Sequence, residues 1–558
     1  MAPGEGYQCT MGKRRNIVPM SIAHLLPRGR WLPVIFALLA GRLTAADVMI
    51  GADEKWRLLQ SEHFELYSRN SEGESRRLLY NLELVHAIFF ETYGFTATRV
   101  LPVTVFFFSR DRHFAAYKPE SSRKLENIAT FYHAEPDRGI LTVAPLPSYE
   151  AAQQLAFGSY AHHLFRLMGE APPVWYGYGI SGIFRNLVIN DRTLELGRPD
   201  PQQVSRLQKA DLIPVETMLG SDYQAGAFSS DESNLVFHDE SWAMIHYLYF
   251  GAHKLPKDGV ANFISHVLNS SRNFDAATTR QVFEQQVGIT YGKFNEALQR
   301  YFRSGKYGYG TKALPVVAPG KSYPMRGVSL AEIDLRLAEL ALRVNRSPQG
   351  KLALLRAGDR ADAARIQEVL GADAMREENW DQVAERWNRA MAAGSRNPAV
   401  LRWLIENEDR QRFSRFDAYY RLPEEAAGQL RAWIALYREL APADPLSWEV
   451  LAWVEATAEA PQIGNLNAVQ KQFVSLGRKN RTLLALAWAR VRLKDNAGAE
   501  EMLQTLEAQV GGTELMWTVE LIRAQNEGRP PRTELLAAPG METSTGFRPK
   551  IDRPRLRP

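Results

Sequence analysis

Two neighbouring stretches decide how this sequence is interpreted. They are Leu155-Ala-Phe-Gly-Ser-Tyr-Ala-His-His-Leu164 and Pro173-Val-Trp-Tyr-Gly-Tyr-Gly-Ile-Ser-Gly-Ile-Phe184. The first carries the adjacent histidines His162 and His163. Two histidines four residues apart on one helix can bind a single metal ion, and a neighbouring glutamate can take a proton from the metal-bound water. Neither His162 nor His163 has a histidine four residues away.

Both stretches resemble a peptidase-MA-like family of gluzincins. These are bacterial α+β domains, largely of unknown function, that are often exported and often followed by tetratricopeptide repeats. The family runs a helix of the form apolar-x-H-E-x-T-H-H-L, then P-x-W-L-N-E-G-L-A-E-Y-F. The segment 61–68 with Trp56 resembles the family's first strand, and 239–248 resembles a later helix, so the resemblance covers roughly 55–305. It implies a gluzincin-like α+β fold with zinc bound by two histidines and a glutamate.

The residues that this zinc site needs are largely missing. Gly158 stands where the first histidine belongs, Ser159 replaces the glutamate base, and His162 keeps the second histidine position. Tyr178 occupies the position of the third ligand. Moving the register to His163 restores neither missing residue, and the chain contains no H-E-x-x-H or H-x-x-E-H. Catalytic zinc usually has three protein ligands, so we expect no catalytic residues and no metal or other cofactor.

Other candidate ligands are weaker. His238 and Glu240 lie in the segment that resembles the later helix, but residues two apart on a helix point to different faces, so we interpret them as solvated polar residues. His246 is expected to be buried and hydrogen-bonded. If the protein is instead an active zinc peptidase with unusual ligands, His162, His163 and His238 are the weak candidates. The sequence has no G-x-S-x-G, no P-loop and no dinucleotide-binding G-x-G-x-x-G.

The order of predicted elements favours an α+β fold. Alternating or β-branched runs predict strands at 61–68, 100–109, 128–132 and 140–143, and helical spacing predicts a helix over 74–94. The last two strands are joined by the turn-forming Pro136-Asp137-Arg138-Gly139. Residues 148–305 are predicted to be helices and loops. Strands followed by helices indicate α+β rather than a doubly wound sheet.

The chain is predicted to contain two folded domains. A degenerate gluzincin-like domain spans 47–310, a Pro- and Gly-rich linker spans 311–328, and an all-α, TPR-like helical repeat domain spans 329–530. Residues 531–558 are predicted to be a disordered basic tail. Two helix pairs, around 370–390 and 486–506, match tetratricopeptide spacing, with an irregular helical bundle as the alternative. Each side of the linker has its own apolar periodicity, so the two halves are expected to fold independently.

The N-terminus resembles a secretory signal. Arg28 and Arg30 precede the apolar run 31–40, and the small residues 44–46 follow it, so residues 1–46 are predicted to be a signal peptide. The true start is Met1 or Met20. The run is too short to span a bilayer, which takes roughly 20 residues. We therefore expect a periplasmic or secreted protein with no stable membrane insertion after cleavage.

The charge distribution argues against a nucleic-acid partner. The formal charge is +5, from 68 Lys and Arg against 63 Asp and Glu. Residues 1–46 hold six of these cations and one acid, which leaves 62 of each sign in the remainder (68 − 6 and 63 − 1). The only cysteine, Cys9, lies in the predicted signal, so no disulfide is expected in the mature chain.

These observations favour an inactive, exported metallopeptidase-like protein that binds a protein, a peptide or an envelope component through its cleft and its repeats. Two alternatives remain. One is an active zinc peptidase with non-standard ligands, and the other is a scaffold in which only the helical repeats function.

Overall fold

The computed structural model describes residues 49–93, 101–119, 129–146, 148–167, 172–190, 192–221, 231–251, 255–269, 275–313, 323–345, 348–357, 364–414, 416–473, 476, 479–510 and 515–532. All of them belong to one compact unit that begins at Met49. The predicted signal peptide and nearly all of the predicted basic tail lie outside the described residues. No helix in the described ranges is both long enough and apolar enough to cross a lipid bilayer.

The strands are β1 (Arg57–Gln60), β2 (Phe64–Ser68), β3 (Val103–Phe107), β4 (Thr130–Ala134), β5 (Gly139–Val143), β6 (Val188–Ile189), β7 (Thr193–Leu196), β8 (Gly310–Ala313) and β9 (Met325–Gly327). The helices before β8 are α1 (Glu72–Tyr93), α2 (Asp111–Ala115), α3 (Tyr149–Leu167), α4 (Val174–Arg185), α5 (Pro201–Leu207), α6 (Val215–Leu219), α7 (Asp231–His246), α8 (Lys257–Asn269), α9 (Ala276–Val287) and α10 (Tyr291–Ser304). A π-helical turn, Tyr247–Gly251, continues α7.

The helices after β9 are α11 (Leu330–Asn345), α12 (Pro348–Ala357), α13 (Ala364–Arg376), α14 (Trp380–Ala392), α15 (Pro398–Phe413), α16 (Glu424–Leu440), α17 (Leu446–Thr457), α18 (Ile463–Gln472), α19 (Lys479–Arg492), α20 (Asn496–Val510) and α21 (Leu515–Glu527). The predicted α+β region followed by a helical region is therefore confirmed.

Six strands form one mixed sheet in the order β4-β5-β3-β2-β1-β9. The pairs β2–β3 and β3–β5 are parallel, and β4–β5, β1–β2 and β1–β9 are antiparallel. A parallel pair needs a crossover, and the connection between β2 and β3 contains α1. The predicted hairpin of two strands around Pro136 is confirmed as β4–β5.

The two faces of the sheet are covered by different parts of the chain. On one face Leu66 and Val105 belong to a core shared with α1, α3 and α4. On the other face Tyr67 and Phe106 pack with Leu337 and its neighbours on α11. Because successive strand residues point to opposite faces, the apolar run in β3 supplies both cores. A helix of the second half thus completes the first half.

Parts of the predicted pattern are wrong. The predicted single strand over 61–68 is a turn followed by β2, and β1 precedes it. The region 148–305, predicted to lack strands, contains β6 and β7, which pair with β8 in a small second sheet. The predicted linker 311–328 enters strands at both ends, since β8 pairs with β7 and β9 pairs with β1. The division into two domains stays a prediction.

Buried ion pairs attach the β4–β5 turn to the helices. The guanidinium of Arg343 on α11 lies 3.1 Å from Glu135, and that of Arg365 on α13 lies 2.7 Å from Asp137. Arg138 lies 3.2 Å from Glu368 on α13. Breaking one partner of a buried pair strands the other charge and typically costs about 3–5 kcal/mol. The turn is therefore fixed by the second half of the chain.

The predicted helix pairs occur as antiparallel hairpins. In the α13–α14 pair, Gly371 lies directly under the Trp387 ring, and the indole Nε1 of Trp387 donates to the carbonyl of Glu368 at 3.0 Å. In the α19–α20 pair, Ala487, Ala499 and Leu503 are fully buried. Small residues that admit large ones are the expected basis of such pairing. Assignment of these pairs to tetratricopeptide repeats stays a prediction.

Candidate functional site

Three helices bring the predicted site residues together. Gly158, Ser159, His162 and His163 lie on α3, Tyr178 lies on α4, and His238 lies on α7. Glycines allow the close approach of these helices. A Cβ at Gly158 would lie 3.0 Å from the carbonyl oxygen of Ser181, and one at Gly179 would lie 2.6 Å from that of Ser241 on α7.

A stack of three rings occupies the centre of the site. The Tyr178 ring lies between His162, at 5.6 Å between ring centroids, and His238, at 3.7 Å. His162 also contacts α4, because a Cβ at Gly177 would lie 3.1 Å from its Cε1. The phenol ring therefore packs against imidazoles from two different helices.

The three rings are half-buried. Burial lowers the pKa of His238 to about 4, and the neighbouring His162 and Arg185 contribute to the lowering. At neutral pH His238 is therefore an uncharged imidazole against the Tyr178 ring. The Ser181 hydroxyl donates to the Gly158 carbonyl at 2.8 Å, which ties α3 to α4 beside the stack.

The residues present do not fit the zinc site that the resemblance implies. Gly158 and His162 face α4, as the spacing predicts, but the place of a side chain at 158 is bounded by Ser181 and by Cβ of Arg185 at 3.1 Å. Tyr178 supplies a phenol where the resemblance implies a glutamate carboxylate, and its ring packs on His162 and His238. Among the described residues, no group of three or more His, Cys, Asp or Glu side chains is placed to hold a metal ion.

The other candidates are separated from this stack. The ring of His163 is buried against Tyr132 of β4, with centroids 3.6 Å apart. Glu240 points away from His238, as predicted, but the prediction that it is solvated is wrong, since it is 3% exposed. The backbone N–H of Ile213 donates to Oε2 of Glu240 at 2.9 Å. Burial nevertheless raises the pKa of Glu240 to about 8.

His246 is a buried, hydrogen-bonded residue, as predicted. Its Nε2 lies 2.5 Å from the Gly197 carbonyl, and the Tyr301 hydroxyl lies 2.8 Å from its Nδ1. Burial lowers its pKa to about 4. His246 therefore joins α7, α10 and the loop after β7, and it has a structural role.

The outer edge of β4 lies beside the site, and sequence reasoning missed it. β4 ends the sheet, and no described strand pairs with its outer side. The backbone N–H of Glu135 donates to Arg138 and that of Ala144 to Ala129, both at 2.8 Å, so odd-numbered positions of β4 face β5. By alternation, the N–H and C=O groups of Thr130, Tyr132 and Ala134 point outward. The sequence predicts the β4–β5 hairpin, but one predicted strand pair does not show which strand lies at the edge of the sheet.

Comparison with models of protein families, with curated proteins and with solved structures gives no match for this chain.

Proposed function

We propose that this protein binds an extended segment of a protein or peptide at the open edge of β4, without cleaving it. The observation that carries the proposal is the row of outward backbone groups at Thr130, Tyr132 and Ala134 beside α3. An unpaired strand edge is a template for another strand. Strand addition uses main-chain hydrogen bonds for affinity and neighbouring side chains for specificity.

The ring stack supports the proposal that the bound segment is not cleaved. With Tyr178 between His162 and His238, the helix faces that would present metal ligands are instead packed against one another. We further propose that the first half is a degenerate gluzincin-like domain, and that the protein acts in the periplasm or outside the cell. The apolar run 31–40 with its small-residue exit supports export.

The helical half gives the bound segment a rigid frame. The β4–β5 turn is held by Arg343 and Arg365, so the β4 edge is kept in place by α11 and α13. A preorganised edge binds more tightly because less conformational entropy is lost on association. This role for the helices differs from the alternative in which they alone recognise the partner.

The test is a screen of the mature chain, 47–558, against an immobilised library of random peptides. Selected peptides are then compared on two variants of one position. Ala134→Pro removes an outward N–H at the edge of β4, whereas Ala134→Val keeps it. We expect Ala134→Val to bind like the wild type and Ala134→Pro to bind at least tenfold more weakly. Bound peptides should be recovered at unchanged mass.

Three results would contradict the proposal. If Ala134→Pro binds the peptides as tightly as the wild type, the binding site is not the edge of β4, and the scaffold alternative is favoured. Cut peptides would favour the active-peptidase alternative, as would one tightly bound zinc that is lost in His162→Ala. Circular dichroism of both variants establishes that each is folded before binding is compared.

A further inference from the structure

A cavity of about 410 Å³ lies between α11, α12 and α13, and none of its described lining residues belongs to the ring stack or to β4. Two of its lining residues, Ser329 and Ala331, are exposed. Cavities of this size are typical of small-molecule sites, which combine an apolar lining with a few polar groups.

One wall of the cavity is aliphatic. It is formed by Leu335, Leu354, Ile366 and Val369. The apolar surface continues outside, because α12 exposes Leu352 by 47% and Leu355 by 43%. A ligand that fills the cavity therefore needs an apolar body.

Charged residues on α11 and α13 also line the cavity, and their acceptors are already used. Both oxygens of Glu339 accept from Arg365, and Oε2 also accepts from Nη1 of Arg336 at 3.4 Å. Glu332 is held by two hydrogen bonds from Arg326. No free carboxylate is left to attract an amine.

Arg336 supplies the spare donor. Its Nε donates to the Tyr67 hydroxyl at 2.8 Å, and its Nη1 donates to Glu339. Its Nη2 makes no hydrogen bond to any described residue, since Glu65 Oε2 is 3.9 Å away. A guanidinium nitrogen at the wall of a cavity is a strong donor to an anionic oxygen.

We propose that this cavity binds a molecule with an aliphatic chain that ends in a carboxylate. The chain packs on the aliphatic wall, and one carboxylate oxygen accepts from Nη2 of Arg336. A free fatty acid and the C-terminus of an apolar peptide share this chemistry. The proposal is independent of peptide binding at β4.

The experiment is isothermal titration of the mature chain, 47–558, with matched probes. Octanoate, octanol and octylamine share one tail and differ in the head group. A peptide ending in Leu-Leu is used with a free and with an amidated C-terminus. We expect saturable binding of octanoate, at least tenfold weaker binding of octanol, and no binding of octylamine. The peptide with a free C-terminus then tells the two sources apart. A site for peptide C-termini should bind this peptide more tightly than octanoate, and a site for fatty acids should not.

Three variants place the binding in the cavity. Arg336→Met keeps the packed stem and removes the donor, so octanoate should bind at least tenfold more weakly. Ala331→Trp adds a large ring at an exposed lining residue that takes part in no ion pair, and it should abolish binding. The control, Arg300→Met, removes an equal charge from the exposed surface of α10, outside the cavity lining, and should bind normally. Equal affinity for octanoate and octanol, no saturable binding by the wild type, or normal binding by Ala331→Trp would each overturn the proposal.

Discussion

Replacement of Gly179 by alanine tests whether the contact between α4 and α7 builds the site. The new Cβ would meet Ile245 and would lie 2.6 Å from the backbone carbonyl of Ser241. Overpacking of this kind costs roughly 1–3 kcal/mol. A backbone carbonyl cannot rotate away, so we take the upper end, about 3 kcal/mol. Replacing a helical glycine returns about 1 kcal/mol in helix propensity. The expected net loss is therefore about 2 kcal/mol.

A matched control separates crowding from propensity. Gly428 on α16 is also helical, but a Cβ there would meet nothing within 4 Å. Gly428→Ala should stabilise by about 1 kcal/mol, which places the two variants about 3 kcal/mol apart. Urea unfolding, followed by tryptophan fluorescence, measures the free energy of unfolding of each.

The same variant should change the titration of His238. If α7 moves away from α4, water reaches the imidazole beside Tyr178, and the pKa should rise from about 4 toward its ordinary value. Histidine proton resonances recorded against pH provide the measurement. The reasoning fails if Gly179→Ala is as stable as Gly428→Ala, or if it is destabilised while the His238 pKa stays where it was.

Glu240→Gln should stabilise the protein above pH 5, by up to about 3 kcal/mol at pH 7, while exposed Glu216→Gln should have no effect. The sign follows because a carboxyl whose pKa is raised to about 8 destabilises the fold progressively as pH rises from 4.5 to 8. In urea melts, the stability gained by Glu240→Gln should therefore vanish below pH 4.5. The fragment 47–310 should show no cooperative melting and should bind an apolar dye. The reason is that it lacks the large side chains of α11, whose burial contributes roughly 5–9 kcal/mol to stability. The longer fragment 47–414 contains α11 and should melt cooperatively. If the fragment 47–310 does melt cooperatively, the first half folds without the second half, as the sequence predicts. Gly158→His combined with Tyr178→Glu should bind no stoichiometric zinc by elemental analysis, because the side chain at 158 meets Ser181 before it reaches His162. A full equivalent of bound zinc would instead show that α3 and α4 can separate.

The elements with strong local signals were predictable. The β4–β5 hairpin followed from apolar runs around a Pro-Asp-Arg-Gly turn, and α1 followed from its leucine spacing. β9 was missed because it has only three residues in a Pro- and Gly-rich segment, and it exists only through pairing with a distant strand. Short strands that depend on such pairing leave no periodic pattern to detect.

The candidate site was predictable in position but not in character. The resemblance implied that Tyr178 lies opposite His162, and the two ring centroids are 5.6 Å apart. The close stacking of His238 on Tyr178 and the burial of Glu240 depend on how α7 packs against helices distant in sequence. Polar residues on a helix are usually solvated, and that general tendency gave the wrong environment for Glu240.

The pairing of β1 with β9 has a consequence for how the chain folds as it is made. Leu58 meets Arg326 only after most of the first half has been synthesised or exported, and the loop-closure entropy of that contact must be overcome first. Until then the outer edge of β1 and the sheet face around Phe106 are exposed together. Topologies dominated by such non-local contacts fold slowly, and their intermediates are prone to aggregate. A chain emerging N-terminus first would therefore depend on a holding chaperone until α11 has emerged, and a stall just before residue 330 should be the most aggregation-prone point of its biogenesis.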